Sequence, residues 1–156
     1  MADFRSIELS LDSYFLSIDK ITSISSQQVV AETKVEYTVM GSATARGVLH
    51  QPRYIWEVAA LLTEPETELL RGLSMVQDRK RRLRQPCGIT LVDRTQRFVQ
   101  PVPVTRAIAP GDTPITTNGI VAYFAAFSVL ISSPKLSVDG KYFSNSFNAM
   151  ELENVT

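Results

Sequence analysis

Ile7, Leu9 and Leu11 alternate with Glu8, Ser10 and Asp12 at the start of the chain, the period of a strand with one wet face. The stretch 16–26 is polar and mixed and reads as a loop with room for a short strand. Alternation returns over Val29–Val39, where Val35, Tyr37 and Val39 oppose Glu36 and Thr38. Gly41-Ser42-Ala43-Thr44 then reads as a turn. Arg46–Gln51 and Arg53–Leu62 are strand material interrupted at Pro52, because proline cannot donate to a ladder. In the second of these, Tyr54, Trp56, Val58, Ala60 and Leu62 share one face. The opposite face, Arg53, Ile55, Glu57, Ala59 and Leu61, turns apolar toward its end. A strand apolar on both faces is covered on both, by its own fold or by a partner chain.

The period then changes to that of a helix. Thr63 followed three residues later by Glu66 is a capping-box pattern, and Pro65 falls in the first turn, where its missing N–H costs nothing. Glu64, Glu66 and Glu68 near the start and Arg79 to Arg84 near the end complement the helix dipole. Leu69, Leu70, Leu73, Val76 and Leu83 form an apolar stripe. Gln85 precedes Pro86 and is biased out of the helical region, so the predicted helix is Glu64–Arg84.

Strand patterning resumes after it. Ile89–Val92 is a short apolar run, with Thr95–Val99 its expected neighbour across an Asp93-Arg94 turn. Pro101-Val102-Pro103-Val104 is an edge or a crossing loop, and 109–114 is turn-forming throughout. Ile120–Ser133, the most apolar stretch, reads as one long buried strand, with a core helix as the alternative. The end of the chain, from Tyr142, reads as a strand followed by a free tail. Together these elements predict a mainly β, α+β chain: a β-sandwich or split barrel with one central helix. At 156 residues it forms a single domain, with N-terminal strands over 1–45, a strand–helix–strand core over 46–131 and a C-terminal extension over 132–156.

Composition narrows the chemistry. Lys plus Arg and Asp plus Glu both number 16, so the chain is not built to coat nucleic acid or an acidic membrane. One cysteine, Cys87, excludes an internal disulfide, and one histidine, His50, excludes a multi-histidine metal centre. No apolar run reaches the ~18–20 residues of a membrane span, and the first residues lack the shape of a secretion signal. His50 lies on strand material without a nucleophile motif beside it, and reads as a surface or interface residue. Cys87 follows a helix C-terminus, which disfavours the thiolate, and reads as a bystander. Glu64, Glu66 and Glu68 are spaced two apart on a helix and do not converge. A two-carboxylate hydrolase would have to start from Glu57, for which no partner acid is evident. No metal, cofactor or enzymatic activity is expected. Arg79-Lys80-Arg81-Arg82-Leu83-Arg84 holds five cations in six residues, more than one helix end needs. It reads as an interface, as a solvated helix end, or as a phosphate-contacting patch of a small nucleic-acid-binding module.

The stretch from Gly47 through His50, Tyr54, Trp56 and the Thr63–Leu70 helix start, continuing into Gly88–Asp93, resembles phage tail proteins of the tail-tube and distal-tail type. The likeness covers Arg46 to Pro101 and is one of element order and texture. It implies a strand leading directly into one helix, closed around by a sandwich or split barrel. It also implies a homo-oligomeric ring, most often hexameric, in the virion tail, assembled in the host cytoplasm. Partners would be adjoining tail proteins, with DNA a candidate occupant of the lumen and no membrane. Tyr54, Trp56, Arg79, Lys80, Arg81, Arg82 and Arg84 are the expected interface or lumen residues.

Overall fold

The alternating start of the chain becomes two strands, β1 (Ile7–Leu11) and β2 (Tyr14–Ile18), joined by a tight turn in which Asp12 takes a left-handed conformation. The computed structural model describes residues 5–28, 34–37, 41, 43–46 and 53–152. After Asp19 and Lys20 the chain continues directly into β3 (Ile21–Gln28), so the stretch read as a loop is mostly strand. β4 (Lys34–Tyr37) and β5 (Ala43–Arg46) form a hairpin with Lys34 opposite Arg46, and Ala43 and Thr44 belong to β5 rather than to the turn. The expected strand over 47–51, its break at Pro52 and His50 lie outside the described residues. β6 (Tyr54–Leu62) runs through Thr63 into α1 (Glu64–Arg82). β7 (Ile89–Asp93), β8 (Phe98–Pro101), β9 (Ala107–Ile108) and β10 (Ile115–Thr117) follow. The chain finishes with β11 (Ile120–Tyr123), β12 (Ala125–Ile131), β13 (Lys135–Asp139) and β14 (Tyr142–Glu151).

The protein is mainly β, with one helix and antiparallel sheets, as the alternation predicts. The large sheet has the order β2-β1-β7-β12-β14-β6-β3, with β13 added on β14 and β9 on β12. Its end strands, β2 and β3, are parts of one length of chain, and in the link joining them the Lys20 carbonyl accepts from the Leu61 N–H of β6 at 2.9 Å. Residues 14–28 therefore border β1 with their first half and β6 with their second. That continuity brings the margins of the sheet together and rolls it into a barrel around its apolar face. The core takes alternate residues of every wall: Ile7 and Leu9, Leu16 and Ile18, Trp56 and Val58, Ile89 and Leu91, Phe127 and Val129, Phe147 and Ala149. Every second position is what a one-faced sheet buries.

Two expectations about the second half are corrected. β7 pairs with β1 and β12, not with the Thr95–Val99 segment, and β8 joins β11 and β10 in a separate three-stranded sheet. The single long strand expected over 120–133 is two strands that change sheets at Phe124, whose N–H is drawn off to Asp112 Oδ2 at 2.7 Å. The strand expected from Tyr142 is β14, and it runs between β12 and β6, with Phe147 and Ala149 in the core.

The helix also ends differently. Thr63 is the N-cap, but its hydroxyl donates to the Glu66 carboxylate at 2.8 Å instead of capping a backbone N–H. At the other end Arg84 takes a left-handed conformation (φ +56°), with Gln85 N–H donating to Lys80 O and Arg84 N–H to Arg81 O. This paired reversal satisfies carbonyls of the last turn and stops α1 at Arg82, before Pro86 is reached. Leu70 and Leu73 enter the core, while Leu83, expected in the apolar stripe, is exposed. Gln77 completes the join to the barrel. Its Nε2 donates to the Val129 and Cys87 carbonyls at 2.8 and 2.7 Å, and its Oε1 accepts from Ile131 N–H at 2.9 Å. Ile89, the first residue of β7, pairs with Val129, so the carboxamide satisfies backbone groups of β12 where β7 has ended.

Candidate interface

Trp56 and Tyr54 sit two residues apart on β6, and the barrel separates their roles. Trp56 is 1% exposed, lies edge-on to Phe127 with ring centroids 4.7 Å apart, and donates its indole N–H to Asp93 Oδ2 at 3.3 Å. It is a core residue and not the interface contact expected, because the curl of the sheet turns its face inward. Tyr54 is half-buried at the start of the strand, stacked on Trp56 and edge-on to Phe98 at 5.6 Å. Burial pushes the Tyr54 hydroxyl above its ordinary pKa, with the Arg106 charge working in the opposite direction.

Arg106 and Glu151, which no motif in the sequence singled out, form the most heavily buried ion pair among the described residues. Their side chains are about as enclosed as Trp56, and they meet in a fork, Nε to Oε2 at 2.8 Å and Nη2 to Oε1 at 2.9 Å. The guanidinium lies over Phe98 at 4.7 Å, Phe127 at 5.3 Å and Tyr54 at 5.4 Å, a cation held among aromatic faces. Beside it Tyr123 donates to Gln100 Oε1 at 2.6 Å, and burial raises its hydroxyl's pKa as well. A signal for Arg106 exists in the sequence: it is the only charged residue between Arg97 and Asp112. Glu151 carries no such mark, since it closes a strand that reads as polar. The pair ties the end of β14 to the connection between β8 and β9, and so holds the small sheet on the barrel.

The basic helix end is largely paired. Lys80 meets Asp12 at 2.6 Å, while Arg81 and Arg82 share Asp78 at 2.8 and 2.6 Å. The bond from Arg81, more than the neighbouring charges, pulls the Asp78 carboxyl below its ordinary pKa. Arg79 and Arg84 are exposed and make no ion pair among the described residues. The structure thus brings Tyr54 and Trp56 together in one cluster and sets Arg79, Lys80, Arg81 and Arg82 on the last turn of α1, with Arg84 in the reversal beyond it.

Two surfaces remain apolar. The outer face of β6 is partly covered, as far as Ala59 and Leu61, but Ile55 continues across the wall into Met150 and Leu130 by register. With Met75 of α1 these residues line a groove of about 650 Å³, and Asp78 and Arg81 stand at its rim. The second surface is the outer face of the small sheet, where Val99, Ile115 and Ile120 are more than half or about half exposed.

The other candidates stay apart. Cys87 is half-buried beside Gly88, where a Cβ would come within 2.0 Å of Ser128 Oγ. Glu57 is exposed on the outer wall, and Glu64 and Glu68 are exposed on α1. Among the described residues no three of His, Cys, Asp and Glu gather as a metal site, and no helix is long and apolar enough to cross a membrane. No protein-family model matches this chain, and no curated protein matches it.

Proposed function

We propose that this chain is a structural subunit of a bacteriophage tail, in the tube, the distal tail or the tail-tip ring. It works by self-association into a ring, most simply a hexamer, and by docking to adjoining tail proteins in the virion. The observation that carries this reading is the largely apolar groove beside α1, which folding leaves open on the outer wall. A head-to-tail ring joins two different surfaces and closes by rotation, and the groove offers one of them to a neighbouring subunit. Supporting it are the direct passage of β6 into α1 and the closed antiparallel wall, the order that the resemblance implies. The β4–β5 hairpin adds to this, since among the described residues it pairs with neither larger sheet, and lone hairpins are marginal in water.

Light scattering at several concentrations, with negative-stain images of large species, tests the reading. Closed rings are the expected result. The competing reading is a small nucleic-acid-binding module, favoured only by the exposed Arg79 and Arg84. Monomers that bind DNA, with affinity falling steeply as salt rises, would replace the ring by that module.

A further inference from the structure

We infer that the outer face of the small sheet is a self-association surface, occupied by the same face of a second copy of this chain. Strand alternation divides β8 and β11 between two faces. Gln100, Val121 and Tyr123 face the barrel and are buried, with Phe98 packed against the core. The other face presents two cross-strand rows, Ile115–Ala122–Val99 and Thr117–Ile120–Pro101, set by the pairing of β10 with β11 and of β11 with β8. Val99 is 59% exposed, Ile115 54% and Ile120 50%, and Val102 just beyond β8 is 51% exposed. Contiguous apolar surface of this kind marks an interaction site rather than ordinary scatter.

The charge pattern selects the occupant. Residues 98–105 and 113–134 contain no Asp, Glu, Lys, Arg or His, in a chain where charged residues make up 21%. The one charge on the β8 side of this face, Arg97, is held by Asp112 at 3.7 Å and lies over the Phe124 ring at 4.8 Å. In a two-fold contact the same patch meets itself, so a charge near the axis would repel its own mate. This face has no unpaired charge to repel, and nothing with which to grip a nucleic acid or a charged partner. Its edge strands have only four and three residues, which limits pairing edge to edge and favours packing face to face, about 10 Å between sheets. The contact is independent of ring closure: it yields a dimer of free subunits or joins two rings.

The test compares the full-length chain with Val99→Lys/Ile120→Lys by sedimentation or light scattering over a range of concentrations. Both positions are exposed, so the variant is expected to melt within a few degrees of the parent. The expected result is a halved mass, with pairing in the parent insensitive to salt. Arg79→Ser/Arg84→Ser, remote from the face, is expected to keep the parent's mass. Hydrogen exchange gives a second readout: amides of 115–122 are expected to gain protection as the parent is concentrated and not in the lysine variant. Equal masses for parent and lysine variant, or a parent that never pairs, overturn the inference. So does a large fall in melting temperature with no change in mass, because the face is then covered by its own chain. A parent that pairs without closing rings keeps this inference and defeats the ring reading. Rings that the lysine variant leaves unchanged do the reverse.

Discussion

The barrel wall and the small sheet are built from the same alternating strands, yet they treat their second faces differently. β1 buries Ile7, Leu9 and Leu11 and turns Glu8 and Ser10 outward. The small sheet buries Val121 and Tyr123 and turns Val99, Ile115 and Ile120 outward. Over most of the wall, folding alone covers the apolar face, and the polar face is at home in water. In the small sheet, folding covers one apolar face and leaves the other exposed. Apolar area left in water forgoes about 25 cal/mol per Å², so the small sheet retains a driving force for association that most of the wall has already used.

The sharpest way to break this contrast is at Trp56. Trp56→Ala is expected to cost about 3–5 kcal/mol of unfolding free energy in a denaturant titration, from the lost burial and the cavity it leaves. A loss under 1 kcal/mol would place Trp56 outside the core.

A similar effect, about 3–5 kcal/mol, is expected for Glu151→Gln, which takes the Glu151 carboxylate charge from the buried Arg106 guanidinium. The double variant Arg106→Met/Glu151→Leu is expected to recover much of that loss. If the pair fastens the small sheet to the wall, hydrogen exchange in Glu151→Gln will rise in 98–101 and 115–123 before it rises in β1 or β7. Uniform exchange would instead make the two regions one cooperative unit.

Gln77→Ala strips partners from Val129 O, Cys87 O and Ile131 N–H, and about 1–3 kcal/mol is expected to go with them. The effect belongs to the wall, so the variant is expected to associate as the parent does at temperatures where both are folded.

The smallest effect is a change of slope at alkaline pH. Burial raises the hydroxyl pKa of both Tyr54 and Tyr123 above the ordinary value of about 10. Below that value both are neutral whether the chain is folded or not. Above it the unfolded chain gives up these protons first, so stability falls as pH rises through the folded values. Tyr54→Phe/Tyr123→Phe is expected to flatten this alkaline limb in thermal melts, and an unchanged limb would mean that the hydroxyls titrate in the open.

Much of the architecture was written in local pattern. The period of two over Ile7–Leu11 and Tyr54–Leu62, the helical spacing of Leu69, Leu70, Leu73 and Val76 and the charges at both helix ends follow from bonds along the chain. Each is a short-range fact and can be read at short range. The absence of net charge likewise belongs to composition alone. The candidate interface was legible only in part: the basic run was found, but its pairing with Asp12 and Asp78 was not.

Tertiary structure decided which strands became neighbours, because pairing depends on chain closure over long separations and leaves no local mark. It placed Trp56 inside the wall instead of at an interface, since one strand's alternation names two faces without saying which is inward. It brought Arg106 to Glu151 across 45 residues. It also split the apolar run 120–131 between two sheets at Phe124, because an N–H withdrawn by Asp112 could not continue the ladder. That split sets β12 in the core and leaves the outer face of β11 in water.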